Sequence, residues 1–309
     1  MSPAASRLAR AQAYPARPVR FIVGQAAGSG SDIFARLMGQ WLSDRLGQPF
    51  IVENRPGATG NLAAEAVVRA PGDGYTVLFV NNSNTINATL FEKLDFNFIR
   101  DFAPVAGILS VPCVMEVNPA LPVRTVPEFI AYAKANPGKI NMASAGTGST
   151  SHMCGELFKF MAGVNLIHVP YRGTSPALVD LIAGQVQVMF DVIASSKEYV
   201  SSGRLRALAV TTVNRSNVLP DIPPVSDFVP GYDASAWGGI CAPKDTPAEI
   251  IVRLNTEINA GLADPTVKAR LADLGATVLP GSPDEFGRFL INETEKWGKV
   301  IKFSGTKLD

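Results

Sequence analysis

Short apolar runs alternate along the chain with longer stretches in which apolar residues recur at helical spacing. The first run covers residues 19–23, and the stretch after it has apolar residues at i, i+4 positions: Ile33, Phe34, Leu37, Met38, Trp41 and Leu42. A later run at residues 140–142 precedes the same spacing at Met153, Leu157, Phe158 and Met161. This alternation predicts an α/β fold with largely parallel strands.

Two glycine- and serine-rich segments each stand between a predicted strand and a predicted helix. One runs from Gly24 to Asp32 and the other from Ala143 to His152. Such a turn presents free backbone N–H groups and small hydroxyls at the positive end of a helix dipole, which is a favourable place for an anion. Because the segments lie in the two halves of the chain, they predict two lobes that hold one small anion between them.

Two further apolar runs suggest how the lobes are connected. Residues 106–117 and 234–242 bracket the block that contains the second glycine- and serine-rich segment. The simplest arrangement has a discontinuous first lobe, residues 14–108 and 235–309, and an inserted second lobe, residues 109–234. Two strands then cross between the lobes, and such a connection permits hinge closure over a ligand.

Composition narrows the class of protein. The chain has 309 residues, of which 47% are hydrophobic, and a net charge of +1. This is a globular composition without the basic footprint of a nucleic-acid-binding protein or a polybasic membrane patch. An anion must therefore be attracted locally by the loops.

The residues that most enzymes need are scarce. His152 and His168 are the chain's two histidines. The second segment reads Gly146-Thr147-Gly148-Ser149-Thr150, which is not the GxSxG turn of a serine hydrolase. No cluster has metal-ligand spacing. We therefore expect no catalytic residues, no metal and no cofactor.

Three cysteines form no disulfide framework. Cys113 and Cys241 both lie in the apolar runs assigned to the hinge. A disulfide between them is geometrically possible in an oxidising compartment. Buried free thiols are the alternative.

The first thirteen residues resemble the end of an export signal. Arg7 and Arg10 lie among alanines and serines, and Ala11-Gln12-Ala13 matches an Ala-x-Ala cleavage site. We interpret residues 1–13 as a disordered remnant of an export signal and expect the mature protein to start near Tyr14. The alternative is a disordered cytosolic N-terminus.

Motifs after Tyr14 resemble the tripartite tricarboxylate transporter substrate-binding family, also called Bug proteins. The matching segments span the chain in order: residues 14–20, the loop ending in Asp32, and residues 52–61, 73–76, 101–105, 144–149, 169–173, 184–186 with Asp191, and 237–243. The first loop departs from the family pattern, because Ala26 and Ala27 stand at proline positions and Ser29 at a glycine position.

The resemblance implies a two-lobed periplasmic binding protein of the Venus-flytrap, type II-like kind. Its members hold the carboxylate of a small organic acid between the two glycine-rich loops, often with bridging waters, and deliver it to membrane permease subunits. We expect a monomer with a mono- or dicarboxylate ligand and no nucleic-acid partner. An extracytoplasmic sensor that passes its bound state to a receptor is the alternative.

The candidate ligand-binding residues come from both loops and from polar ends of predicted strands. They are Ala27, Gly28, Ser29, Gly30, Ser31, Asp32, Asn82, Ser83, Asn84, Gly146, Thr147, Gly148, Ser149, Thr150, His152, Arg172 and Asp191. Within this set, Asp32 is expected to shape its loop, since a first-turn carboxylate accepts bonds from backbone N–H groups.

The roles of four other positions stay open in the sequence. His152 is either a charged donor to the ligand or a surface residue. Asp191 either contacts a ligand hydroxyl or amine, or pairs with Arg172. Arg172 either pairs with a carboxylate or only braces the turn at residues 170–173. Trp237 lies in the second crossing run, where it either lines the cleft or belongs to the core.

Overall fold

A computed structural model describes residues 14–307, which form ten strands and ten α-helices. The strands are β1 Val19–Val23, β2 Phe50–Asn54, β3 Thr76–Asn81, β4 Phe102–Val117, β5 Asn141–Ser144, β6 Ile167–Pro170, β7 Val188–Val192, β8 Arg206–Val210, β9 Ser235–Pro243 and β10 Thr277–Val278. The helices are α1 Gly30–Leu46, α2 Asn61–Val68, α3 Asn82–Leu90, α4 Val126–Ala135, α5 Thr150–Ala162, α6 Thr174–Ile182, α7 Ile193–Ser201, α8 Ala248–Ala263, α9 Pro265–Asp273 and α10 Pro283–Ser304. The predicted export-signal remnant, residues 1–13, lies outside the described residues.

The strands join in one mixed sheet with the order β2-β1-β3-β9-β4-β7-β5-β6, while β8 and β10 also pair with β4. The outer strands are parallel: β1 with β2 and β3, and β5 with β6 and β7. The central pairs of β9 with β3 and β4, and of β4 with β7, are antiparallel. The α/β prediction is confirmed. The sheet is mixed rather than largely parallel, because the central strands β4 and β9 run antiparallel to their neighbours.

Strand β4 belongs to both halves of the sheet. Its residues up to Pro112 pair with β9, whereas Cys113–Val117 pair with β7. The apolar run at residues 106–117 contains Pro112, yet the strand continues through it. A proline lacks an N–H donor, and Pro112 stands where the partner strand changes, so the ladder tolerates it there.

Helix α10 packs against both halves of the molecule. Phe286 and Leu290 share a buried cluster with Trp237, whereas Trp297 and Val300 share another with Phe158 of α5. Near the helix end, the rings of Phe160 and Phe303 lie 4.8 Å apart. The sequence assigns this entire segment to the first lobe, and the structure adds that the end of α10 also packs against α5.

All three cysteines are buried and free. Cys113 and Cys241 form no disulfide, and Cys154 Sγ lies 4.0 Å from Cys113 Sγ. Burial raises the pKa of the Cys241 thiol. The free-thiol alternative is therefore confirmed.

Candidate ligand-binding site

A cavity of about 270 Å³ lies where residues of the two glycine- and serine-rich loops approach each other. Its lining comes from both halves of the sheet: Gln25, Ser29, Gly30, Ser31, Phe34, Phe79, Asn81, Asn82, Ser83, Leu109, Val111, Thr150, Val192, Ala236 and Trp237. A larger cavity of about 470 Å³, lined among others by Ser110, Arg215 and Asp233, includes no residue of either loop. The smaller cavity is therefore the candidate site.

The first loop connects β1 to α1 and ends in a capped helix. Ser29 is the N-cap residue, and its Oγ accepts a hydrogen bond from the Asp32 backbone N–H. Gly28 has a φ of 80°, which a glycine adopts without strain. The cap leaves the backbone N–H groups of Gly30 and Ser31 at the N-terminal end of α1, where they point away from the helix.

Asp32 shapes this loop, as its position predicts. Its carboxylate is buried and accepts bonds from the Gly28 N–H at 2.9 Å and from the Arg36 and Asn54 side chains. The Arg36 guanidinium, together with the Gly28 and Asn54 donors, lowers the pKa of Asp32 to about 2. The carboxylate is thus ionised, paired and turned to its own loop.

The second loop, between β5 and α5, repeats this geometry with different chemistry. Ser149 is the N-cap residue and accepts from the His152 N–H. Gly148 has a φ of 76°, and its N–H donates to His152 Nδ1 at 3.1 Å. His152 therefore stands where Asp32 stands in the first loop, and it accepts the equivalent glycine N–H.

The interpretation of His152 as a surface residue is wrong, whereas its role as a donor to the ligand stays a prediction. The residue is 2% exposed, so it is not on the surface. Its ring stacks on His168 with centroids 3.6 Å apart, and Nδ1 is occupied by the Gly148 N–H. A helix position alone cannot show this, because the stacking partner comes from β6.

Burial also determines the state of His168, whose Nε2 lies 2.6 Å from Ser144 Oγ. Desolvation lowers the pKa of His168 from 6.5 to about 4. The folded protein therefore keeps this ring neutral at pH 7. Between pH 6.5 and pH 4, His168 therefore binds a proton in the unfolded chain but not in the folded protein.

We expect His168 to make the protein less stable as pH falls from 6.5 to 4, and to have no further effect below that. The loss should be on the order of 2 kcal/mol relative to His168→Gln over the same window. Urea unfolding of both proteins at pH 7.5 and pH 4.5 measures the difference. Equal losses in the two proteins would show that His168 titrates normally in the folded state.

Strand β3 ends in a run of polar residues, which the structure places in the cap and first turn of α3. Asn81 is the N-cap residue, and its side-chain amide donates to Ser31 Oγ at 3.1 Å. Asn82 is buried and bonds to Ser235 O and the Trp237 N–H, whereas Asn84 accepts from the Asn81 N–H. The amides of Asn82 and Asn84 thus hold the backbone, although Asn82 and Ser83 still line the cavity.

Asp191 and Arg172 do not pair. Asp191 is 1% exposed and accepts from the hydroxyls of Thr174 and Ser196, while Arg172 is exposed on the turn before α6. Burial raises the pKa of Asp191 to about 6. The predicted alternative of an Asp191–Arg172 pair is therefore wrong, and neither residue lines the cavity.

Some of the residues that line the cavity could be predicted from the sequence, and the others could not. Of the candidates, six line the cavity: Ser29, Gly30, Ser31, Asn82, Ser83 and Thr150. Trp237 also lines it, while its indole N–H donates to Glu293. The missed members are Gln25, Phe34, Phe79, Asn81, Leu109, Val111, Val192 and Ala236. Most are apolar and typical of core positions, so their residue types alone carry no signal.

Four helices begin at the cavity. Residues from the first turn or the cap of α1, α3, α5 and α7 line it, represented by Gly30, Asn81, Thr150 and Val192. Two of these helices follow strands of one half of the sheet and two follow strands of the other. The positive ends of their dipoles therefore converge, which favours a negatively charged ligand.

Within residues 14–307, no helix combines the length and the apolar character that a membrane crossing needs.

Comparison with known proteins gives matches along nearly the whole chain. The family model described as the tripartite tricarboxylate transporter family receptor matches residues 34–306. Protein BugT of Bordetella pertussis is 36% identical over 301 residues, which cover 96% of this chain and 92% of BugT.

Two solved structures with bound acids have the same fold. R. palustris Rpa4515 with adipate has a TM-score of 0.81 and 36% identity, covering 95% of this chain and 99% of its own. MatC from Rhodopseudomonas palustris with bound malate has a TM-score of 0.77 and 33% identity, covering 93% of this chain and 100% of its own.

Proposed function

The chain belongs to the tripartite tricarboxylate transporter receptor family, and we propose that it captures a small organic carboxylate between its two glycine- and serine-rich loops. The proposal is carried by one observation: four helix N-termini from both halves of the sheet line a single cavity. The ligand's carboxylate would accept bonds from the N–H groups of Gly30 and Ser31 on one side and Thr150 on the other. Hydroxyls of the loop serines and threonine add further donors.

Charge-assisted bonds of this kind are strong enough for useful affinity. Each contributes about 1.5–3 kcal/mol when donor and acceptor are well placed. Several such bonds, less the entropy of association and closure, correspond to micromolar binding or better. The adipate and malate carried by two similar proteins support a carboxylate as the ligand class.

The proposed setting is the periplasm, with delivery of the ligand to the membrane subunits of a tripartite tricarboxylate transporter. The family is one of periplasmic binding receptors, which supports this setting. Under the same proposal, the protein binds its ligand without turning it over.

Closure is part of the proposal. The proposed lobes are residues 14–108 with 235–309, and residues 109–234. The change of β4 partner between Pro112 and Cys113 supports a hinge at that point. Saturating ligand should lower the radius of gyration in solution scattering, because both loops must approach the same carboxylate. A scattering curve that is identical with and without ligand would contradict closure.

Calorimetric titration tests the proposed function. The protein is first freed of carried-over ligand by unfolding and refolding, and small carboxylic acids are then titrated, each beside its amide. We expect micromolar binding of at least one acid and no binding of its amide, since the amide lacks the charge that the helix N-termini attract. An acid panel without any acid-specific binding, or equal binding of acid and amide, would contradict carboxylate capture.

A further inference from the structure

The cavity wall has a polar part and a larger apolar part. The polar part is formed by the loops and by the cap and first turn of α3. The apolar part includes Phe34 on α1, Phe79 on β3, Leu109 and Val111 on β4, and Ala236 on β9. The Trp237 ring lies on the other face of the sheet, against Phe286 and Phe289 of α10. Because β3, β4 and β9 are neighbours in the sheet, their side chains form a continuous surface on one side of the cavity.

Among the described residues that line the cavity, none has an ionisable side chain. Two acids lie beside lining residues in the chain: Asp32 next to Ser31, and Asp191 next to Val192. Asp32 is already paired with Arg36, and Asp191 is buried among hydroxyls. No cation therefore faces the apolar wall from within its lining.

This arrangement favours a carboxylate at one end of a ligand and an apolar group at the other. A first carboxylate meets the backbone N–H groups at the helix N-termini. A second carboxylate beside Phe34 would leave water for a wall of aromatic and aliphatic carbon that holds no cation. Burying an ionised carboxylate without a paired donor is strongly unfavourable, whereas burying a methyl or ring carbon is favourable.

We infer, on the basis of the proposed function, that the site selects a monocarboxylate with an apolar body over a dicarboxylate of the same length. Phe34, Phe79 and Val111 would contact that body. Adipate and malate, bound by two similar proteins, represent the competing class.

Two matched pairs of acids test this inference on the full chain, freed of carried-over ligand. Hexanoate and adipate differ only in replacing a terminal methyl group by a carboxylate, and benzoate and terephthalate differ by one ring carboxylate. In the pair that binds more tightly, calorimetry should give a Kd at least about tenfold lower for the monoacid. A diacid that binds as tightly as its monoacid would overturn the inference and leave the proposed function standing.

Failure of all four acids to bind would also overturn the inference. The proposed function would fall only if the wider panel of acids and amides showed no acid-specific binding. The two claims can therefore fail separately.

A variant locates the far end of the ligand. Phe34 is partly exposed, so Phe34→Lys can place an ammonium group at the wall while its stem stays packed. The ratio of adipate affinity to hexanoate affinity should rise about tenfold in Phe34→Lys. The same ratio should stay unchanged in the matched control Phe34→Met. An unchanged ratio in a folded Phe34→Lys protein would contradict the placement of the apolar body beside Phe34.

Discussion

Gly30→Trp should abolish carboxylate binding without unfolding the protein. Gly30 is the first residue of α1 and lines the cavity. A Cβ built on Gly30 would lie 3.8 Å from its nearest neighbour, a ring carbon of Phe34, so a side chain fits the backbone there. An indole at this point would fill much of a cavity of about 270 Å³ and cover the N–H groups that hold the ligand.

We expect the affinity for the best acid to fall by about 100-fold or more in Gly30→Trp, measured by calorimetry. Gly30→Ala is the matched control, because it adds only the Cβ and should change affinity by less than about threefold. Thermal unfolding of both variants should stay close to that of the unmodified protein. Full affinity in Gly30→Trp would remove the start of α1 from the site.

Asp32→Ala should have the largest effect on stability. The buried carboxylate holds the Gly28 N–H, Arg36 and Asn54 together, and its removal leaves the Gly28 and Asn54 donors without their acceptor. Leaving buried hydrogen-bond donors without their acceptor costs about 1–3 kcal/mol. Urea unfolding at pH 7 measures the loss, and Asp44→Ala, at an exposed position of the same helix, should cost less than about 0.5 kcal/mol.

The effect of Asp32→Ala should depend on pH in a defined direction. The pKa of Asp32 is lowered from 3.8 to about 2, so the ionised carboxylate stabilises the fold fully above the unfolded value. The contribution disappears as pH falls through the folded value. The difference between the two proteins should therefore shrink below about pH 4. A difference that stays constant down to pH 2 would contradict the charge-based account of this loop.

Local pattern was sufficient to predict the two loops. Glycines between an apolar run and a helical stretch fix the turn without reference to distant residues. Both loops appear where the spacing predicts them, and the structure adds that Ser29 and Ser149 are their N-cap residues. The crossing strands were also visible, because β4 and β9 retain their apolar runs when buried on both faces.

The directions in which these side chains point could not be predicted from the sequence. His152 and Asp32 both turn back to a glycine N–H, but only the position of His168 on β6 explains why the His152 ring is buried. The asparagines after β3 show the same limit. Asn81 caps α3 and lines the cavity, whereas the Asn84 side chain turns back to the Asn81 N–H, and nothing in the run of similar residues distinguishes them.

The apolar wall could not be predicted for a different reason. Phe79 and Val111 are core-type residues on central strands, and only the packing of α1 and α7 above the sheet leaves a cavity over them. A buried apolar residue and an apolar residue that lines a ligand cavity have the same pattern in the sequence. The distinction depends on long-range packing, which creates the cavity.

A crystal structure of the complex with the tightest-binding acid tests the central claim most directly. The account predicts that one carboxylate of the ligand accepts hydrogen bonds from backbone N–H groups at the start of α1 and at the start of α5. Bridging waters are acceptable on either side. A carboxylate held by only one loop, or bound in the cavity beside Arg215, would contradict capture between the two loops.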